Sequence, residues 1–352
     1  MLPDDAAFSG LPRRPRTDGA AEEAAMPVRS IPKAKAKAKA KARALDAQLG
    51  PKFDRKLAAE LHPGLANYLE KLEAAYQQNR TPVNEDKQHL ALIIEGLNKA
   101  DPGLRLVHDE VMRDETSNWI QEYQLTQRLQ NGLGKGDAWR MVIDDGDRDH
   151  RYALSVQCSA SSHDASLILV DSMDAASEAS KLVDAWQNIL GGIGEVLREH
   201  MPEEQVRLHL AVACSTTQRT DNGCVVMALS AARKMAAEPQ IAQLHGAALG
   251  NMNGGAGENV VALSAAALPP SFFKHSTSGN DLINNLFLRD EAGRDPVVNR
   301  EGQTLLERWT SHMTARRDPQ NNKQRLYSNS YEAKRIDLIR TALAALVPQP
   351  TR

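Results

Sequence analysis

The chain is 352 residues long, 41% hydrophobic but only 4% aromatic, with a formal net charge of −2. That length holds one large domain or two small ones around a buried core, and the near-neutral balance excludes a global basic field for nucleic acid or a membrane surface. Three cysteines make no even disulfide framework and favour a reducing compartment, and no apolar run reaches membrane-spanning length.

Residues 1–50 are rich in Pro, Arg, Ala and Glu, and Lys33, Lys35, Lys37, Lys39 and Lys41 alternate with small residues. A spacing of two winds the lysines around a helix instead of along one stripe, which excludes an amphipathic membrane helix. The tract reads as a solvated linker behind a disordered leader, with a nuclear-localisation or acidic-surface role as the alternative. From Phe53 the pattern turns helical. Leu57, Leu61, Leu65, Leu69 and Leu72 recur at three- and four-residue steps, with Pro63-Gly64 as a break. His89–Leu97 predicts a second helix, and Trp119, Tyr123, Leu125 and Leu129 predict a third.

Strands follow. Trp139–Ile143, His150–Val156, Ala165–Asp171 and Val206–Ala213 are short apolar or alternating runs separated by turn-forming residues. Between the last two, Ala175–Glu199 predicts a helix interrupted at Gly191-Gly192-Ile193-Gly194. Val225–Met235 predicts a helix, His245–Gly257 a Gly- and Asn-rich loop, and the chain beyond Pro270 a return to helix with a charged closing segment from Arg316 to Arg340. The expected organisation is a leader and linker over 1–50, N-terminal helices over 51–137, a catalytic core over 138–260, a C-terminal helical segment over 261–345 and a tail over 346–352.

Cys224 stands behind the polar turn Thr217–Gly223 and opens a helix-forming run. The partial positive charge of the unpaired N–H groups at a helix start favours thiolate over thiol. Upstream, His150 opens one strand and Asp171 ends the next, which gives the base, orienting acid and nucleophile that thiol-based acyl transfer needs. The alternatives are an inert Cys224, His163, His209 or His275 in place of His150, and Asp164 or Asp174 in place of Asp171. Cys158 and Cys214 lie in or at the end of apolar strands and read as buried and inert. With no Cys-x-x-Cys or His-x-x-x-His spacing, no metal is expected.

The residues His150, Ser166-Leu167-Ile168-Leu169-Val170-Asp171 and Gln218-Arg219 through Cys224 resemble the YopJ family of type III secreted acetyltransferase effectors. Ser271-Phe272-Phe273-Lys274-His275-Ser276-Thr277 is similar to a second block of that family, and the likeness extends through Val297-Val298-Asn299 to Tyr331-Glu332-Ala333-Lys334-Arg335. It spans residues 85 to 345. The sequence departs from the family in having Asp where most members have Glu, and in a longer stretch between Asp171 and Cys224.

The resemblance implies an α/β (α+β) fold: a small mixed sheet carrying the His-Asp-Cys triad, as in ubiquitin-like-protein cysteine proteases, flanked by a helical regulatory lobe drawn from both termini. It implies acetyl transfer from acetyl-CoA through a Cys224 thioester to Ser, Thr or Lys of host signalling or immune proteins, with inositol hexakisphosphate as activator. Gln218 and the Cys224 backbone N–H would hold the oxyanion. Lys274, His275, Lys334 and Arg335 would face the polyphosphate or coenzyme A, and Lys274 matches a self-acetylated lysine. Secretion into the host cytoplasm is expected, with nucleus, membrane and oligomeric state left open. Because ubiquitin-like-protein proteases share the triad order, a cysteine protease or deubiquitinase-like hydrolase is the alternative, and a non-catalytic binding protein the third reading.

Overall fold

The computed structural model describes residues 51–80, 83–111, 124–145, 150–172, 179–202, 205–215, 217–218, 223–252, 257–277, 297–299, 301–317 and 324–348. The Lys/Ala tract, Trp119, Tyr123 and Asp174 lie outside them. Helix α1 (Arg55–Leu61) starts where the Asp54 carboxylate accepts from the backbone N–H of Lys56 and Leu57 at 3.0 and 3.1 Å, satisfying two donors a helix start leaves open. The Pro63-Gly64 break falls as expected. Pro63 opens α2 (Pro63–Gln77), where its missing N–H is one a helix leaves unused. Helix α3 (Asp86–Ala100) follows.

The sheet has six strands in chain order: β1 (Leu106–Val111), β2 (Ala138–Asp145), β3 (His150–Cys158), β4 (Asp164–Asp171), β5 (Arg207–Cys214) and β6 (Gly257–Ala262). β1 pairs parallel with β2, and β4, β5 and β6 are mutually parallel, but β3 runs antiparallel to both neighbours. The N-terminal end of β3 therefore lies beside the C-terminal ends of all the others, and one edge of the sheet collects His150, Asp171 and the chain leaving β5.

Both faces of the sheet are covered, which explains why every residue of β4 is buried. On one face Tyr152, Leu154 and Val156 pack with Trp186, Ile189 and Leu190 of α5 (Ala179–His200) and Leu129 of α4 (Gln124–Gly132). On the other, Val142, Ala153, Ile168 and Val170 meet α6 (Cys224–Ala237), α3 and the last helix, α9 (Ser330–Leu346). Each such side chain contributes about 1.5–3 kcal/mol on burial, so the alternation of period two fixes the register.

Helices from both ends of the chain meet over this second face. α9 crosses α3 so closely that a Cβ on Gly96 would come within 2.5 Å of the Ala342 carbonyl oxygen. Two buried ion pairs hold α9 to the N-terminal helices: Arg340 Nε to Glu73 Oε1 of α2 at 2.7 Å, and Arg335 Nε to Asp86 Oδ2 of α3 at 2.9 Å, with the Tyr68 hydroxyl of α2 also donating to Asp86 at 2.7 Å. The mixed α/β fold with a helical lobe from both termini is thus present.

Four local expectations need correction. Leu106–Val111 is strand β1, not part of an all-helical N-terminal region; its Asn98 neighbour both donates to the Leu106 carbonyl and accepts from its N–H. The Gly191–Gly194 run does not interrupt α5, because a bare Gly194 leaves room for the Glu258 side chain that pairs with Arg198. His245 lies inside helix α7 (Pro239–Gly250), not in a loop. The charged closing segment begins as a hairpin, β7 (Met313–Arg317) and β8 (Gln324–Ser328), beyond a short α8 (Leu305–Ser311) with a Thr304/Glu307 capping box.

On the α6 face, His245 bridges two strands. Its Nε2 lies 2.9 Å from Ser155 Oγ and its Nδ1 2.9 Å from Ser166 Oγ. Burial, aided by the Arg140 charge, lowers its pKa to about 4 from 6.5. The neutral ring is the native form, so its contribution is complete above pH 6.5 and is lost as pH falls toward 4. Denaturant unfolding at pH 7 and pH 4.5 should show a loss of roughly 2 kcal/mol from this group. A His245→Gln variant should show a flatter dependence over the same interval; an unchanged slope would remove His245 as its cause.

Candidate active site

His150 Nε2 lies 2.7 Å from Asp171 Oδ1, and both residues are buried. The reversed strand makes this contact possible. Asp144, one residue from the end of β2, faces Arg151 across the register, and the first residue of β3 is carried toward the last residue of β4. The Tyr152 ring meets the imidazole edge-on at 4.8 Å, and Trp186 backs Tyr152 in turn. A carboxylate accepting from Nε2–H fixes the tautomer and leaves Nδ1 as the basic nitrogen. That Nδ1 is buried and has no hydrogen-bond partner among the described residues.

Cys224 is the first residue of α6 and 4% exposed. Its N-cap is Gly223, which makes no side-chain cap bond, and the N–H groups of a helix start carry a partial positive charge. Its Sγ lies 3.5 Å from Nη1 of Arg151, the residue next to His150 on β3. The sulfur and the His–Asp pair are thus gathered at one end of the sheet.

The loop between β5 and α6 is laced to the end of β4. The Gln218 N–H donates to the Ser172 carbonyl at 2.8 Å, and Ser172 Oγ donates to Gln218 Oε1 at 2.9 Å. That bond turns the carboxamide so that Nε2 is its donor end. Ser215 Oγ and N–H both donate to the Asp171 carbonyl. The downstream block is joined to the same loop: the Thr277 N–H and Ser276 Oγ donate to the Thr217 carbonyl at 2.8 and 3.1 Å. Blocks far apart in sequence therefore form one structure.

The rival residues are elsewhere or otherwise engaged. Asp164 starts β4, at the far end of that strand from Asp171, and pairs with Arg207. His163 sits in the β3–β4 turn at that same far end. His209 lies within β5 near Asn259, and His275 Nδ1 lies 2.8 Å from Ser330 Oγ. Burial pushes the Cys158 and Cys214 thiols up to about 12, helped by Asp137 and Asp171 respectively.

Of the residues assigned to a polyanion, Lys274 and Lys334 come together and Arg335 does not. Arg335 is committed to Asp86, with both side chains 2% exposed, and lies against the Tyr331 ring. The structure adds three cations that the sequence pattern did not single out: Arg233 and Lys234 on α6 and Arg308 on α8. Burial lowers the pKa of Lys234, Lys274 and Lys334, and neighbouring positive charges lower each further. Asp337 offsets part of this charge through Lys334 at 2.6 Å. His275 is lowered well below its ordinary value by burial and by four of these cations, and is neutral. A small cavity lined by Ser172, Ser230, Lys234, Phe272 and His275 opens between this cluster and the end of β4. Among the described residues no group of three His, Cys, Asp or Glu side chains could hold a metal ion.

With two thiols this strongly protonated, iodoacetamide at pH 8 should modify Cys224 first, since alkylation needs thiolate. Peptide mapping reads this out; alkylation of Cys158 or Cys214 at a matching rate would contradict the assignment.

Comparison with known proteins places these features. A family model described as YopJ serine/threonine acetyltransferase matches residues 65–341. Among solved structures, one of HopZ1a in complex with IP6 and CoA is similar with a TM-score of 0.59 at 18% identity, covering 88% of this chain and 99% of that one. A structure of an AvrA deletion variant with IP6 and CoA gives 0.57 at 19% identity, covering 80% and 98%. No curated protein matches the chain in sequence.

Proposed function

Since the chain belongs to the YopJ serine/threonine acetyltransferase family, we propose that it transfers acetyl from acetyl-CoA through Cys224 to Ser, Thr or Lys of host signalling or immune proteins. The family implies a secreted effector that acts inside a host cell, and no described helix is long and apolar enough to cross a membrane. The observation that carries the reading is the His150–Asp171 pair at 2.7 Å, at the end of the sheet where Arg151, the neighbour of His150, meets a helix-opening cysteine.

In the proposed mechanism, His150 Nδ1 takes the Cys224 proton and Asp171 holds the imidazolium that results. The thiolate attacks the thioester carbonyl carbon of acetyl-CoA. The Gln218 amide and the Cys224 N–H face the oxyanion. The C–S bond to coenzyme A breaks, and its sulfur leaves with the proton from His150. An acceptor hydroxyl or amine, deprotonated by His150, then attacks the acetyl-cysteine and restores the thiol. Incubation with labelled acetyl-CoA and inositol hexakisphosphate separates this from a cysteine protease, which would take up no label. Varying acetyl-CoA and acceptor together should give parallel double-reciprocal lines, the sign of two separate half-reactions; intersecting lines would argue for direct transfer.

Inositol hexakisphosphate is assigned to the cluster of Arg233, Lys234, Lys274, Arg308 and Lys334, with His275 as a neutral donor beside it. The cations face one another across α6, α8 and α9, a cost that a bound polyphosphate removes. Arg335 is proposed as the strut joining α9 to α3. Lys274, whose lowered pKa raises its amine fraction, is also the candidate for self-acetylation.

Binding should therefore take up protons and weaken as pH rises, because the lysines must be charged to hold phosphate and their pKa values start low. Calorimetry in buffers of different ionisation enthalpy tests this. An affinity flat between pH 7 and 9, with no proton uptake, would take these lysines out of the site. Lys234→Gln should weaken binding about tenfold, in line with one lost charge-assisted contact.

A further inference from the structure

Arg151 is almost fully buried, and its two terminal nitrogens go to different partners. Nη2 donates to Asp144 Oδ2 at 2.7 Å, and Nη1 lies 3.5 Å from Cys224 Sγ. Asp144 is buried too, and its Oδ2 also lies 3.4 Å from Lys87 Nζ on the first turn of α3. Arg151 and Asp144 are direct cross-strand partners in the β2–β3 register. The chain thus places a fixed guanidinium against the sulfur, anchored on the sheet and not on a loop.

A buried ion pair of this kind adds little to stability compared with well-packed apolar residues. Its charge count suits the sulfur instead. With Cys224 as thiolate, Lys87, Asp144, Arg151 and the sulfur sum to zero; with a thiol, one positive charge is in excess. At the start of β3 the His150 imidazole contacts Asp171 and Tyr152, and the Arg151 guanidinium lies against the sulfur at the start of α6.

We propose that Arg151 is a positioning residue that holds the Cys224 sulfur as an anion, both before it attacks the acetyl donor and when it leaves the acetyl-enzyme. The proposal rests on the reading of Cys224 as nucleophile. Arg151 takes no proton and forms no covalent bond. In the first half-reaction it fixes the attacking thiolate; in the second it receives the thiolate expelled when the acceptor oxygen or nitrogen bonds the acetyl carbon. The anchor also reaches the regulatory helices. Lys87 follows Asp86, the residue that pairs with Arg335 of α9, so α3 touches the sulfur's support at one residue and α9 at the one before it.

The test uses the full chain with acetyl-CoA and inositol hexakisphosphate, and reads single-turnover acetylation of Cys224. Arg151→Lys keeps a cation for Asp144 but cannot fork to both partners. It should slow acetylation about tenfold to a hundredfold, with KM for acetyl-CoA unchanged within about twofold and a near-wild-type melting temperature. Acetylation at the wild-type rate would overturn the proposal. Should Arg151→Lys fail to fold, the double variant Arg151→Met with Asp144→Asn, which removes both buried charges together, takes its place: slowed acetylation supports the role and an unchanged rate overturns it. Cys224→Ala runs in parallel. Label that persists there defeats the nucleophile assignment and with it the proposal; label lost there but kept at full rate in Arg151→Lys defeats Arg151 alone.

Discussion

One reversed strand organises this molecule. Because β3 alone runs against its neighbours in the described sheet, its first residues meet the last residues of β2 and β4. Turned the other way, His150 would lie at the far end of the sheet, about 27 Å along an eight-residue rise, and Asp171 would have no imidazole to orient. The same reversal puts Arg151 opposite Asp144 and beside the start of α6. A buried core on both faces makes a slip in register expensive, so the chemistry inherits its precision from apolar packing that takes no part in it.

The second constraint is charge. Around the β3 end, charged groups are matched at short range: Asp171 with the ring N–H of His150, and Arg151 with Asp144. Over α6, α8 and α9 they are not. Several cations share Asp337 and a few more distant carboxylates, and Lys234, Lys274 and Lys334 have lowered pKa values as a result of burial and mutual repulsion. A bound anion would relieve such a cluster, which is the physical basis for the proposed coupling of a polyphosphate to the helices that cover the sheet. Helix α6 carries Cys224 at one end and Lys234 nearly three turns later, so both regions share one rigid element.

Much of the core was legible because β3, β4 and β5 are short apolar runs bounded by turn residues. The place of Cys224 at a helix start was legible because a polar, Gly-containing run of sequence precedes an apolar, helix-forming one. The errors have common causes. Strand β1 carries His108 and two acids, and it is an edge strand that needs no apolar alternation. The Gly191–Gly194 run looked like a break because propensity weighs each glycine against the helix, whereas tertiary packing needed Gly194 bare for Glu258. Helix α7 was hidden by its small residues, and the β7–β8 hairpin by its charge. Arg335 read as a phosphate ligand because residue type carries no record of burial; its partner Asp86 lies on another helix, far away in sequence. Arg151 was overlooked for the opposite reason. Beside a histidine on an alternating strand it looks like an outward-facing polar residue, and only the start of α6 reveals its partner.

The account stands on Cys224 carrying the acetyl group with His150 as base. The direct measurement is mass spectrometry of acid-quenched protein after brief exposure to acetyl-CoA and inositol hexakisphosphate, in the wild type and in Asp171→Asn. The account predicts one hydroxylamine-labile acetyl on the Cys224 peptide, forming far more slowly when Asp171 can no longer steady the imidazolium. Acetyl groups found only on other residues, at a rate indifferent to Asp171, would contradict it.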